Sequence, residues 1–159
     1  MMTVRLVCVG KLKEKYWRDA CAEYEKRLSA FCRFQIVELP ETRLPETPSA
    51  AQIEAALREE GKRILAAVGN DWLISLCVEG RQLSSEELSA EVDALSVRGV
   101  SSLAFCIGSS FGLAPEVKSA SRLRLSFSPM TFPHQLARVM LCEQIYRAFQ
   151  IGRNGKYHK

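Results

Sequence analysis

The residues best suited to chemistry lie near the end of the chain. Glu143 and Arg147 stand four positions apart, acid before base, the order that favours an ion pair on one helix face. Glu143 is also the only acid after residue 116. His158, one of two histidines, sits in a basic terminal segment. Its ordinary titration range suits proton transfer near neutrality, although a histidine in a tail is in most proteins a passive surface group. Upstream, Gly108-Ser109-Ser110-Phe111-Gly112 is a glycine-bounded turn that can bring backbone close to a ligand. It lacks GxGxxG spacing and comes late in the chain, which disfavours a nicotinamide-dependent enzyme. The six cysteines (Cys8, Cys21, Cys32, Cys77, Cys106, Cys142) form no CxxC pair and have no histidine at ligand spacing. Neither a zinc site nor thioredoxin chemistry is expected, and no metal.

Positioning these groups requires a scaffold, and the periodicity describes one. Thr3 to Val9, Phe34 to Leu39, Trp72 to Val78, Ser102 to Ile107 and Leu123 to Phe127 read as strands, several of them apolar on both faces. Between them, Glu14 to Phe31 carries an apolar stripe at three- and four-residue steps. Ser49 with Gln52 and Ser84 with Glu87 mark capping boxes that open two further helices, ending near Val68 and Ser96. Pro115 suits the first turn of a short helix, and Pro133 to Ile151 forms a long one. Residues 40 to 48, with three prolines, form a loop. Strands alternating with helices predict a three-layer α/β sandwich around a mostly parallel sheet, which binds ligands outside its strands' carboxyl ends. The last helix is apolar nearly all round, since Val139, Met140 and Leu141 are consecutive. It must be buried on more than one side, by its own domain or a second subunit, and a homodimer is expected.

The chain has 159 residues, 47% of them hydrophobic and 25% charged, the make-up of a single globular domain spanning 1–159. Apolar stretches fall far short of the ~20 residues that cross a bilayer, and the start of the chain lacks a signal-peptide cleavage pattern, so a cytoplasmic protein is expected. Charge is unevenly divided. Residues 1–33 hold eight Lys/Arg against four Asp/Glu, residues 34–117 six against thirteen, and residues 118–159 eight against one. Cations gathered at both ends fit a polyanionic partner, most simply nucleic acid. Lys11, Lys13, Lys15, Arg18, Arg153 and Lys156 are the candidates for phosphate contact.

Several segments also resemble a known family. FCIGSSFGL (Phe105 to Leu113), LSFSPMTFPHQLARVMLCEQIYRAFQI (Leu125 to Ile151), KYHK (Lys156 to Lys159) and the start VGKLKEKYW…EYEKRL (Val9 to Leu28) closely resemble the ribosomal RNA large subunit methyltransferase H family, of the SPOUT class. The likeness covers essentially the whole chain. It implies a C-terminal trefoil knot, which no periodicity shows, and a homodimer. It further implies methyl transfer from S-adenosylmethionine to N3 of a pseudouridine in large-subunit (23S) ribosomal RNA on the assembled ribosome.

Carried over by position, the resemblance places the cofactor against Leu76, Gly108, Phe127, Ser128, Pro129, Met130, Thr131 and Phe132. Ser109 stands where a second glycine is usual, and a positive φ there would strain it. The acceptor is an imide nitrogen, a poor nucleophile until its proton leaves, so a base is needed, and His158, Glu143 or a water could supply it. His158, Tyr157, Glu143 and Arg147 together are the expected catalytic set, with Tyr157 stacking on or hydrogen-bonding the target base and Glu143 with Arg147 in a catalytic or substrate-orienting role. Lys159, with Lys156, Arg153, Lys11 and Lys13, is expected to meet RNA phosphate. His134 is read as a structural support for the cofactor loop. A non-catalytic ribosome-binding or assembly factor would use the same basic ends and is the competing reading.

Overall fold

The computed structural model describes residues 1–159. Its elements run β1 (Thr3–Val9), α1 (Lys15–Leu28), β2 (Arg33–Leu39), α2 (Ala50–Val68), β3 (Trp72–Gln82), α3 (Ser85–Val97), β4 (Ser102–Ile107), α4 (Pro115–Ala120), β5 (Leu123–Ser126) and α5 (His134–Gly152). The five strands are all parallel, in the order β2-β1-β4-β3-β5.

Continuous apolar runs form these strands because both faces are covered. In β4, Leu103, Phe105 and Ile107 enter one core while Ala104 and Cys106 enter the other, and in β1 Leu6 and Cys8 oppose Val7 and Val9 in the same alternation. The larger core lies under α1, α3 and α5; the smaller lies under α2 and α4. Both capping boxes form as the spacing predicts, with Ser49 accepting from Gln52 N–H and Ser84 from Glu87 N–H. All six cysteines are buried free thiols, and burial pushes Cys8 and Cys32 each up to about 12.

Two details differ from the sequence-based expectation. The strand expected to stop at Val78 continues to Gln82, because β3 bulges: both Leu76 and Arg81 pair with Leu125 of β5. Gly80 is needed inside that bulge, where a Cβ would stand 2.7 Å from the Arg124 carbonyl oxygen. Helix α1 ends at Leu28 rather than Phe31, since Phe31 and Cys32 turn their N–H groups back onto the Leu28 carbonyl. Of the two covers expected for the apolar girth of α5, the chain's own domain supplies one. It packs on α1 and α3, Ser89 of α3 donates 2.7 Å to the Ala148 carbonyl, and no residue from His134 to Ile151 is exposed.

One anchor of α5 was not anticipated. Arg138 is only 2% exposed, with a guanidinium nitrogen 2.6 Å from Glu38 Oε2 and another 3.0 Å from the Gly10 carbonyl oxygen. It fastens the start of α5 to the carboxyl ends of β1 and β2. No helix is long and apolar enough to cross a membrane.

Candidate functional site

Three segments distant in sequence converge at the bulge of β3 and beyond the carboxyl ends of β4 and β5. Leu76 to Glu79, Ile107 to Leu113 and the loop from Phe127 to Pro133 enclose a cavity of about 620 Å³, within the usual size range of small-molecule sites. Of the residues expected at a cofactor, Leu76, Gly108, Phe127, Ser128, Met130, Thr131 and Phe132 line it; Pro129 lies in the same loop but does not. His134 also borders the cavity, at the first turn of α5.

Glycine at 108 is dictated by crowding. A Cβ there would lie 2.1 Å from the Gly112 carbonyl oxygen, because the turn closes on itself with Gly112 N–H donating 2.9 Å to the Ser109 carbonyl. Ser109 is not in the left-handed region, so the strain expected of a serine there does not arise. Its hydroxyl instead donates 2.8 Å to Glu60 Oε1.

At the cavity mouth, Lys118 of α4 donates 2.5 Å to Glu79, and that bond holds the Glu79 carboxyl below the usual carboxylate range. Lys118 escaped sequence reasoning because only the folded chain brings together residues 39 positions apart. Val78, Phe111 and Met130 also border the cavity, with 48%, 48% and 71% of their surfaces exposed.

The expected catalytic set assembles elsewhere. The chain reverses after α5 at Asn154, whose φ is 52°, and runs back along the helix. Arg147 Nε donates 2.8 Å to Glu143 Oε1, and the Tyr157 hydroxyl donates 2.9 Å to Glu143 Oε2. The Arg147 guanidinium lies 4.6 Å from the Tyr157 ring centroid. His158 Nδ1 is 3.1 Å from an Arg147 nitrogen and its Nε2 is 2.6 Å from Glu86 Oε1. Arginine can only donate, so Nδ1 accepts and Nε2 carries the proton directed at Glu86. Hydrogen bonding from His158 lowers the Glu86 carboxyl, while burial, then donation to Glu143, raises the Tyr157 phenol.

None of Glu143, Arg147, Tyr157 or His158 lines the large cavity. Glu143 instead borders a second cavity, of about 360 Å³, between the start of α3 and α5, and Phe127 lines both cavities. The expected phosphate-binding cations are also spread out. Lys11 and Lys13 are exposed just beyond the carboxyl end of β1. Arg153 stands at the other end of the molecule, its guanidinium 4.7 Å from the Phe31 ring centroid, and Lys156 and Lys159 are exposed on the tail. No three His, Cys, Asp or Glu side chains converge as a metal site.

Comparison with known proteins agrees with this architecture. A family profile described as "Predicted SPOUT methyltransferase" matches residues 2–158. The ribosomal RNA large subunit methyltransferase H of Exiguobacterium sibiricum is 49% identical, over 99% of this chain and 100% of its own length. That of Lactiplantibacillus plantarum is 46% identical with the same coverage. Among solved structures, a probable methylase family protein from Haemophilus influenzae superposes with a TM-score of 0.57 at 15% identity, covering 98% of this chain and 70% of that one. A probable methyltransferase from Bordetella pertussis gives 0.56 at 14%, covering 93% and 96%. Likeness at that level of identity establishes the fold.

Proposed function

The chain belongs to the SPOUT methyltransferase family, and from that premise we propose that it uses S-adenosylmethionine to methylate N3 of a pseudouridine in large-subunit ribosomal RNA on the assembled ribosome. The observation that carries the reading is the cavity at the bulge of β3 and the carboxyl ends of β4 and β5. Its volume, its apolar walls and the close-packed turn at Gly108 suit a nucleoside-like ligand held by backbone and stacked between side chains. Leu76, Gly108 and the loop from Phe127 to Phe132 would hold the donor, with Pro129 shaping the loop from outside the cavity wall. Bound there, S-adenosylmethionine supplies a methyl group already activated on a sulfonium.

The protein's remaining work is to place and deprotonate the acceptor. His158 takes the imide proton at Nδ1 once the acceptor displaces Arg147 from that nitrogen. Arg147 then faces the negative charge that develops on the base, and Glu143 and Tyr157 keep both groups aligned. Lys11, Lys13, Arg153, Lys156 and Lys159 hold RNA phosphate.

The donor cavity and this acceptor group are separate within one chain, and the cavity mouth carries exposed apolar side chains at Val78, Phe111 and Met130. Both features support a homodimer in which the tail of the partner subunit completes the site. The chain leaves β5 at one edge of the sheet, crosses the carboxyl ends and enters between α1 and α3, a path that supports threading of residues 1–159 as one domain with a C-terminal trefoil knot. A ribosomal substrate sets the cytoplasm as the place of action.

Incubation with ribosomes lacking the modification and a methyl-labelled donor tests the proposal. Label in large-subunit RNA, mapped to N3 of a pseudouridine, is the expected result. Ribosome binding by folded protein with no transfer of label would instead favour the assembly factor.

A further inference from the structure

Glu60 projects from α2 behind the turn at Gly108 to Gly112. It is 4% exposed and makes no ion pair, an expensive state for a carboxylate unless its oxygens are engaged. Both are. Oε1 accepts from the Ser109 hydroxyl at 2.8 Å, and Oε2 accepts from the Thr42 N–H at 3.0 Å. One turn further on, Arg63 donates 3.0 Å to the Pro40 carbonyl and 3.1 Å to the Thr42 hydroxyl. Helix α2 therefore clamps the proline-rich loop after β2, and the same carboxylate reaches across to the turn that walls the large cavity. Ser109 is 8% exposed and lines both that cavity and a smaller one, of about 310 Å³, bordered by Glu60.

We propose that Glu60 is a positioning residue for the donor-binding turn, acting through the Ser109 hydroxyl. The inference rests on the reading of the large cavity as the donor site. The turn's own bond, from Gly112 N–H to the Ser109 carbonyl, fixes its internal shape but not where it stands relative to β3 and the loop from Phe127. The Glu60 bond supplies that external tie, holding the turn in its donor-ready place before the donor arrives.

The test is donor affinity by calorimetry, with donor KM and kcat, in the full-length protein. Ser109→Ala should weaken S-adenosylmethionine binding about ten- to a hundredfold, the effect of one hydrogen bond to a buried charged group. The loss should fall on donor KM and not on kcat. Glu60→Ala should match it, and the double variant should lose no more than either single change. Glu60→Gln, whose amide can still accept from Thr42 N–H and donate to Ser109, should bind like the parent, a rescue that a purely structural role does not require. Ser109→Ala leaves the Thr42 tie intact, so it carries the test even if Glu60→Ala fails to fold. Donor binding by Ser109→Ala equal to the parent's, or losses that multiply in the double variant, would overturn the inference. No binding by the parent protein would overturn the donor-site reading itself.

Discussion

The Tyr157 hydroxyl donates a 2.9 Å hydrogen bond to Glu143 Oε2, joining the C-terminal tail to the middle of α5 fourteen residues earlier in the chain. Arg147 holds the other carboxylate oxygen and covers the Tyr157 ring, and Tyr146 meets that ring edge-on with centroids 4.9 Å apart. The tail is thus seated by polar and aromatic contacts at once.

Loss of that bond should free the tail without unfolding the protein. Tyr157→Phe keeps the ring in place and removes the donor, a change worth about 0.5–1.5 kcal/mol at a partly exposed site. Cleavage after Lys156 by a lysine-specific protease should accelerate several-fold while the thermal midpoint of the whole chain moves little. An unchanged cleavage rate would show that the hydroxyl does not hold the tail.

The same bond predicts an alkaline pH dependence. Burial and donation to Glu143 raise the Tyr157 phenol above its ordinary value of 10.0. A group raised in the folded state contributes stability that is fully present below its unfolded value and is lost as pH climbs through the folded one. Tail docking should therefore persist to about pH 10, the ordinary phenol value, and fail above it. The ultraviolet titration of the parent minus that of Tyr157→Phe should reveal one phenol ionising later than a free tyrosine.

Arg138→Ala should be among the most damaging changes outside the cavity. It removes a buried cation and leaves the Gly10 carbonyl and Glu38 without their partner. Because the Glu38 side chain is 37% exposed, water offsets part of the loss. The expected cost is about 2–3 kcal/mol, less than for a pair buried at both ends. Chemical denaturation should show it as a lower midpoint at unchanged slope.

Ribosome binding should weaken steeply with salt. Lys11 and Lys13 are exposed, and neither has an ion-pair partner. Replacing both with glutamine should flatten the dependence of log affinity on log salt by about 0.7–0.9 for each phosphate that is no longer neutralised. A slope equal to the parent's would place the RNA on another face.

Much of this was legible in the sequence. Strands apolar on both faces announced the parallel sheet, and Ser49 and Ser84 their capping boxes; the turn at Gly108, read as able to approach a ligand, lines the large cavity. What local pattern cannot encode is tertiary company. The bulge that carries β3 past Gly80 exists because β5 pairs twice with it at Leu125. Arg138 belongs to a basic segment, yet its side chain is buried between α5 and the carboxyl ends of β1 and β2. Glu60 sat in an acidic run of α2, and only the fold sets it behind Ser109. The candidate base and the cavity both came from the sequence, but not their separation within one chain.

That separation makes subunit sharing the claim to test most directly. Two variants are co-expressed with different tags and isolated as mixed dimers: Gly108→Ala, whose added Cβ meets the Gly112 carbonyl, and His158→Ala, which removes the proposed base. Each variant alone should lose about 100-fold or more in turnover on ribosomes. The mixed dimer retains one intact cavity facing one intact tail and should recover about half of the parent's turnover. A mixed dimer as inactive as either variant, or full activity from a single protomer in solution, would contradict the account.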